Sequence, residues 1–316
     1  IIIRKEYANL FIKKISITIK NMQNLEQKLE GRIIKGVGGN YFVATKDKTY
    51  TCSIRGVFRK GKIIPTVGDY VTISLNQDDT GIVEKIHPRN NILIRPKVAN
   101  IDCAVITFAI INPNINADLL DRFLVLAETQ NIKQIVICVN KCDLASEKDL
   151  ENIKNIYGDI YEVVFTDTIN NTHNGIEKLK EIISNKVTVF AGPSGVGKSS
   201  LINAISNMDL KIGEISQKIK RGKHTTRQVE LLEAWENTYI VDTPGFTSLS
   251  MEFIRVENFS QYFREFQPYL SDCKFCDCKH IHEPDCGIKN QLDKNISKQR
   301  YSRYKALFQE IEDLNK

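Results

Sequence analysis

Gly192-Pro193-Ser194-Gly195-Val196-Gly197-Lys198-Ser199-Ser200 stands between an apolar run, Val187-Thr188-Val189-Phe190-Ala191, and the helix-patterned Leu201-Ile202-Asn203-Ala204-Ile205. Strand, glycine-rich loop and helix occur in the order that a phosphate-binding P-loop requires, and G-x-x-x-x-G-K-S is matched in full. The two flanking glycines let the backbone curl until several N–H groups and a helix N-terminus face one anion, a geometry that side chains would block. Lys198 is placed to reach β- and γ-phosphates, and the Ser199 hydroxyl to bind Mg²⁺. A chance glycine-rich turn would not combine the full motif with this strand-to-helix context, so residues 192–200 read as a nucleoside triphosphate site.

Outward from the loop the rhythm is α/β. Ile101–Phe108 is a buried-strand run, and Gln134–Val139 and Tyr161–Phe165 are further strands; Asn116 can cap a helix whose Leu119, Leu120, Phe123, Leu124 and Ala127 share one face, and a further helix is expected near 175–183. Strands alternating with helices imply a parallel sheet covered on both faces. Asn140-Lys141-Cys142-Asp143 follows one strand directly, at the carboxyl end where ligands of open parallel sheets bind. A carboxylate there accepts from both N1–H and the exocyclic amine of guanine, whereas adenine offers neither donor at that edge. Hydrogen bonds to charged groups are worth about 1.5–3 kcal/mol each, so Asp143 selects guanine by orders of magnitude.

Tyr239-Ile240-Val241-Asp242 leads into Thr243-Pro244-Gly245, the D-x-x-G expected beside a P-loop, with Asp242 near Mg²⁺ and the Gly245 N–H facing the γ-phosphate. Gly222-Lys223-His224-Thr225-Thr226-Arg227 is a polar loop in which Thr225 or Thr226 can bind Mg²⁺ when triphosphate is present, a switch candidate. Ordinary GTPases run P-loop, switch threonine, D-x-x-G, then N-K-x-D. Here N-K-x-D comes first, so the chain reads as a circular permutation of the GTPase fold in which the D-x-x-G region leads straight into a C-terminal domain.

Before Pro96 the pattern is different. Five short alternating runs, 31–37, 40–45, 49–54, 69–74 and 81–86, are punctuated by glycine and proline and suggest an OB-fold barrel. Tyr41, Phe42, Tyr50 and Phe58, interleaved with Arg55, Arg59, Lys60 and Lys62, supply the stacking and charge of an oligonucleotide-binding face, or else strand core beside a solvated basic hairpin. Residues 1–30, rich in Ile, Lys and Asn, are compatible with an upstream extension, a worn targeting segment or an amphipathic helix, and carry no assigned function.

From Glu252 the sequence looks helical and ends in a helix through Tyr301, Tyr304, Leu307, Phe308 and Ile311. Within it, Cys273-x4-Cys278-x-His280-x5-Cys286 offers three thiolates and an imidazole, the closed tetrahedral set of a structural zinc site, with Cys276 and His282 as competing ligands one step out of register. The expected organisation is an extension (1–30), a barrel (31–96), a GTPase domain (97–251) and a helical zinc-binding domain (252–316).

The 316 residues carry a formal charge of +6 and 42% hydrophobic content, ordinary for a globular chain with a mild bias toward a polyanionic partner. Four of the eight cysteines crowd into 273–286, a metal pattern rather than a disulfide framework. No apolar run approaches the roughly 20 residues of a membrane span, which together with the cysteine pattern implies a reducing, cytoplasmic compartment and no membrane partner; a monomer is expected.

Barrel, N-K-x-D, G-P-S-G-V-G-K-S-S, G-K-H-T-T, D-T-P-G-F and C-x4-C-x-H-x5-C in this order resemble the ribosome small-subunit-dependent GTPase A family over about residues 31–310. The resemblance implies GTP and GDP as ligands, GTP hydrolysis stimulated by the 30S subunit late in its assembly, and contact of both the OB and zinc domains with 16S rRNA. This sequence departs from the family in Cys276, in its first 30 residues, and in Thr166-Asp167-Thr168, where the second base-contacting loop usually shows a small Ser-Ala-like pair.

Phe246 occupies the position after D-x-x-G where many GTPases place a water-orienting glutamine. His224 is the best substitute in the chain, since a neutral imidazole accepts a proton near pH 7; the resemblance also implies catalysis by the histidine of G-x-H-T-T, although an RNA-contacting or packing role is the alternative. A GTP-dependent RNA-binding module with incidental hydrolysis is the competing reading of the whole chain, and an ATP-dependent enzyme conflicts with Asp143.

Overall fold

The computed structural model describes residues 28–56, 58, 64–94, 97–170, 173–207, 229–242 and 250–315. The chain forms two compact units that divide between Arg89 and Asn90.

In the first unit the five alternating runs become β1 (Lys28–Val37), β2 (Asn40–Ala44), β3 (Thr49–Ile54), β4 (Tyr70–Leu75) and β5 (Gly81–Ile86). They pair in the closed circuit β1-β2-β3-β5-β4-β1, with only the β3–β5 contact parallel, the five-stranded barrel that the spacing predicts. Alternation places Ile33, Val43, Cys52, Val71, Ile73 and Val83 inside with no exposed surface. Tyr50 also lies inside, so of the expected aromatic face it belongs to the core, while Tyr41 and Phe42 are half-buried. Arg55 pairs with Glu84 at 2.6 Å. Arg59, Lys60 and Lys62 lie outside the described residues, as do residues 1–27.

The second unit opens with a short hairpin, β6 (Ile92–Leu93) and β7 (Val98–Ala99), and continues with β8 (Cys103–Ala109), α1 (Ala117–Thr129), β9 (Gln134–Asn140), α2 (Glu147–Tyr157), β10 (Glu162–Phe165), α3 (Gly175–Ile183), β11 (Val187–Ala191), α4 (Lys198–Asn207), β12 (Glu230–Trp235) and β13 (Thr238–Asp242). The strands lie side by side as β10-β9-β8-β11-β13-β12, parallel except for β12, which returns against β13 as a hairpin. Every residue of β8 and β11 is buried, as expected for parallel strands covered on both faces. Asn116 caps α1, its Oδ1 accepting from Leu119 N at 2.9 Å. The run β8, β9, β10 proceeds to one side; the chain then crosses to the other side of β8 for β11 and β13. The order reverses between β8 and β11, and the crevice outside their carboxyl ends is where such sheets bind ligands.

The remaining chain is a lobe of 3-10 turns at 256–262, 264–272 and 289–291, closed by α5 (Lys298–Leu314). Pro268, inside the second turn, lacks the N–H and steric room for regular helix. Phe259, Phe263 and Phe266 pack around Tyr304 with ring centroids 4.9–5.2 Å away. Val125 and Leu126 of α1 join this cluster, so α1 serves two cores. Among the described residues, no helix is long and apolar enough to cross a membrane.

Candidate nucleotide site and metal centre

The P-loop is seated against its neighbours by close backbone approach. A Cβ on Gly192 would lie 2.0 Å from the Thr107 carbonyl oxygen of β8, and one on Gly197 would lie 2.4 Å from Asn140 Nδ2; both glycines also have positive φ, +137° and +93°. Only glycine fits either place. Lys198, at the start of α4, donates to the carbonyls of Gly192 (2.8 Å) and Pro193 (2.6 Å), and burial lowers its pKa from the ordinary lysine value. Ser194, Gly195, Ser199 and Ser200 are exposed around it, while Val196 is buried beneath.

Asn140 ends β9 opposite Ala109 of β8, and its amide reaches across to the loop, Nδ2 donating to the Val196 carbonyl at 2.9 Å. Lys141 takes a left-handed conformation (φ +62°), which turns the chain out of the strand. Its ammonium donates to Gly195 O at 3.0 Å and to Asn112 O in the loop between β8 and α1. Cys142, buried, donates its backbone N–H to Thr166 O, and Asp143 stands exposed in the following turn. Thus the N-K-x-D segment and the glycine-rich loop, far apart in sequence, meet at the carboxyl edge of one sheet. β13, parallel to β11, brings Asp242 to the same edge. The side chain of Asp242, together with His224, Thr225, Thr226, Gly245 and Phe246, lies outside the described residues.

Thr166 is the residue beside this site whose placement the sequence reading did not anticipate. Expected as part of the base-packing loop, it is fully buried below that loop, and its hydroxyl donates to Asn140 Oδ1 at 3.0 Å. A hydroxyl-bearing residue directly after the apolar Val163-Val164-Phe165 run is the available signal. Asp167, also fully buried, accepts from the Asn170 N–H at 2.6 Å.

In the lobe, one sulfur from each of Cys273, Cys278 and Cys286 and one ring nitrogen of His280 lie within 4.8 Å of one another. His280 Nδ1 is 3.5 Å from Cys273 Sγ and 3.4 Å from Cys286 Sγ. Cys276 is exposed and, like His282, stands outside the group. Burial, reinforced by the neighbouring thiols, pushes the Cys278 thiol up to about 12, so that sulfur resists ionising unless a cation sits beside it. Three thiols and an imidazole at this spacing fit one tetrahedral metal ion. Tyr301 and Tyr304 brace the site from α5, their hydroxyls donating to the carbonyls of His280 and Lys279, each at 2.8 Å.

The lobe is tied to the sheet body by buried charge. Arg300, with no exposed surface, donates to Asp121 of α1 (2.6 Å) and to Glu265 (2.7 and 3.2 Å). Burial alone would lower its pKa, but those two carboxylates hold it well above the ordinary arginine value. Asp121 also accepts from Arg303 and from the Tyr157 hydroxyl of α2. Arg122 and Glu310 add a two-bond pair between α1 and α5.

Two family models match the chain: the RsgA GTPase over residues 86–252 and the RsgA N-terminal domain over residues 30–83. A small ribosomal subunit biogenesis GTPase RsgA of Alkaliphilus metalliredigens is 44% identical over 287 residues, spanning 89% of this chain and 97% of the relative. The crystal structure of YjeQ from Thermotoga maritima superposes with a TM-score of 0.79 at 33% identity, covering 90% of this chain and 99% of that one. The crystal structure of YloQ, described as a circularly permuted GTPase, gives 0.77 at 34% identity, covering 92% and 97%. Since the family model for the catalytic domain takes in more than half of the chain, and the permuted strand order agrees with it, this protein belongs to the RsgA GTPase family and is a GTP hydrolase.

Proposed function

We propose that the protein hydrolyses GTP to GDP and phosphate when it meets the small ribosomal subunit, and that it acts late in maturation of that subunit. The observation carrying this reading is the Asn140–Val196 bond, which joins a guanine-reading segment to a phosphate loop at one sheet edge. In this reading Asp143 accepts from guanine, Asn140 and Lys141 hold the base side against the loop, and the N–H groups of 192–200 face the phosphates. Lys198 leaves the Gly192 and Pro193 carbonyls for the β- and γ-phosphates. Mg²⁺, held by Ser199 with Thr225 or Thr226 and with Asp242 nearby, would neutralise developing phosphate charge. The Gly245 N–H faces the γ-phosphate, and His224 accepts a proton from the attacking water, a role that Phe246 cannot fill.

Cys273, Cys278, His280 and Cys286 are assigned to one structural Zn²⁺, the ion whose usual ligands are sulfur and imidazole in a closed tetrahedron. The barrel (31–96) and the zinc lobe (252–316), on either side of the GTPase domain (97–251) in sequence, supply contacts to 16S rRNA in a cytoplasmic monomer. Steady-state GTP turnover with and without purified 30S subunits tests the proposal. Stimulation by 30S is expected, and His224→Ala should lower stimulated turnover by about 10²–10⁴-fold while GTP and 30S binding persist. Turnover indifferent to 30S would favour a GTP-dependent RNA-binding module instead.

A further inference from the structure

Asn140 is only 1% exposed, so both ends of its amide need partners. Val196 offers a carbonyl oxygen, which can only accept; the atom facing it at 2.9 Å is therefore the NH2 group, and the amide oxygen must face the other way. There it meets Thr166 Oγ1 at 3.0 Å. Because an amide oxygen only accepts, the Thr166 hydroxyl is committed as donor. Cys138 Sγ lies 3.4 Å from the same hydroxyl oxygen, and with the hydroxyl proton already committed, the thiol is the donor in that contact. The result is a one-way relay in which Cys138 S–H donates to Thr166, Thr166 O–H to Asn140, and Asn140 N–H to Val196. It runs from the middle of β9 through the end of β10 to the P-loop, through side chains that are all buried.

We propose that Thr166 is a positioning residue for nucleotide retention: its hydroxyl fixes the orientation of the Asn140 amide and thereby locks the phosphate loop against the base-reading segment. This rests on the reading of Asn140 as part of the nucleotide site. The backbone of Thr166 reinforces the lock, since its N–H donates to Val139 O at 2.8 Å and its carbonyl accepts from Cys142 N at 3.1 Å. Removing the hydroxyl strands a buried acceptor and frees the amide to turn its oxygen toward Val196 O, where two acceptors repel. Gly197 approaches the same Nδ2, so a displaced amide also disturbs the loop turn. The effect falls on how long nucleotide stays, not on the chemistry at the γ-phosphate, because the relay ends at the Val196 carbonyl and lends no group to the reacting phosphate.

Thr166→Val keeps the shape of the side chain and deletes the donor; Thr166→Ser keeps the donor and deletes the methyl. Release of a fluorescent GDP analogue is followed by stopped flow for both, with Asn140→Ala alongside, and GTP turnover is measured at saturating nucleotide. Thr166→Val should accelerate release about tenfold, the equivalent of one stranded buried acceptor, with kcat within twofold and KM raised. Thr166→Ser should return release to within twofold of the parent. Unchanged release in Thr166→Val while Asn140→Ala accelerates it would overturn the positioning role and leave the nucleotide site intact. Unchanged release in Asn140→Ala would overturn both. A serine variant as fast as the valine one would assign the effect to packing of the methyl group and sink the proposal. Should Thr166→Val fail to fold, Thr166→Ala, which introduces no bulk, carries the same comparison with the serine variant.

Discussion

At the phosphate edge, position is set by main chain: Gly192 lies against the Thr107 carbonyl, Gly197 against an amide, and Lys198 on two loop carbonyls. In the C-terminal lobe, position is set by side chains: Arg300 between two carboxylates, two tyrosine hydroxyls on adjacent carbonyls, and four sulfur and nitrogen atoms in one cluster. The two regions share α1 and the same sheet body, yet they should fail in opposite ways. Adding atoms damages the first, because there is no room; removing them damages the second, because what remains is buried and unpartnered.

The largest expected effect is on the metal cluster. Cys273→Ser should abolish tight metal binding, and because structural zinc binding is worth roughly 10–16 kcal/mol in zinc-finger peptides, the lobe should unfold while nucleotide binding survives. Cys276→Ser should keep its metal. Elemental analysis and hydrogen exchange over 273–304 check both, and a folded, metal-free lobe would erase the contrast between the regions.

Next in size is Arg300→Met. Removing this buried cation strips Glu265 of its ion-pair partner and leaves Asp121 with Arg303 and the Tyr157 hydroxyl, and breaking a buried ion pair typically costs about 3–5 kcal/mol. Chemical denaturation should show that loss. A destabilisation below about 1 kcal/mol, the worth of an exposed pair, would mean the lobe is held mainly by its aromatic core.

Gly197→Ala adds a single methyl at positive φ against Asn140. Left-handed backbone costs a non-glycine residue roughly 1–2 kcal/mol before any clash is counted, so GTP affinity should fall at least about tenfold, as measured by titration calorimetry. Unaltered affinity would show that the loop has more freedom than its close contacts imply.

The smallest effect on stability, since Asp143 is exposed, though the sharpest in specificity, is expected from Asp143→Asn. Losing charged hydrogen bonds to guanine removes about 1.5–3 kcal/mol apiece, and an amide that donates should prefer the extra carbonyl of xanthine. Competition between GTP and XTP decides it; equal ranking in parent and variant would refute the guanine assignment.

Motifs built on short spacing are legible in the residues alone. The P-loop, the strand leading into N-K-x-D, the Asn116 cap and the barrel strands all depend on neighbours within a few positions, so periodicity and turn chemistry reveal them. α2 is hidden despite a capping box between Ser146 and Asp149, because only Ile153 and Tyr157 of its residues are buried and the apolar period is too sparse to see. β12 is obscure for a related reason: a six-residue strand with charged residues at positions 230 and 233 carries little pattern.

Local sequence names the chemical parts: a P-loop motif, an N-K-x-D motif, a barrel and a cysteine-rich segment, in a permuted order. Which of those parts meet is settled by folding. The choice of Cys278 and His280 over Cys276 and His282 depends on a left-handed turn at His280 (φ +59°) and on tyrosines of α5 that hold its carbonyl and its neighbour's. Thr166 reaches Asn140 only because β10 lies beside β9. Arg300, one residue before the apolar stripe of the terminal helix, is buried because Asp121 and Glu265 arrive from distant parts of the chain. A charge can leave water only where opposite charge already waits, and the position of that partner is a property of the fold, not of the neighbouring residues.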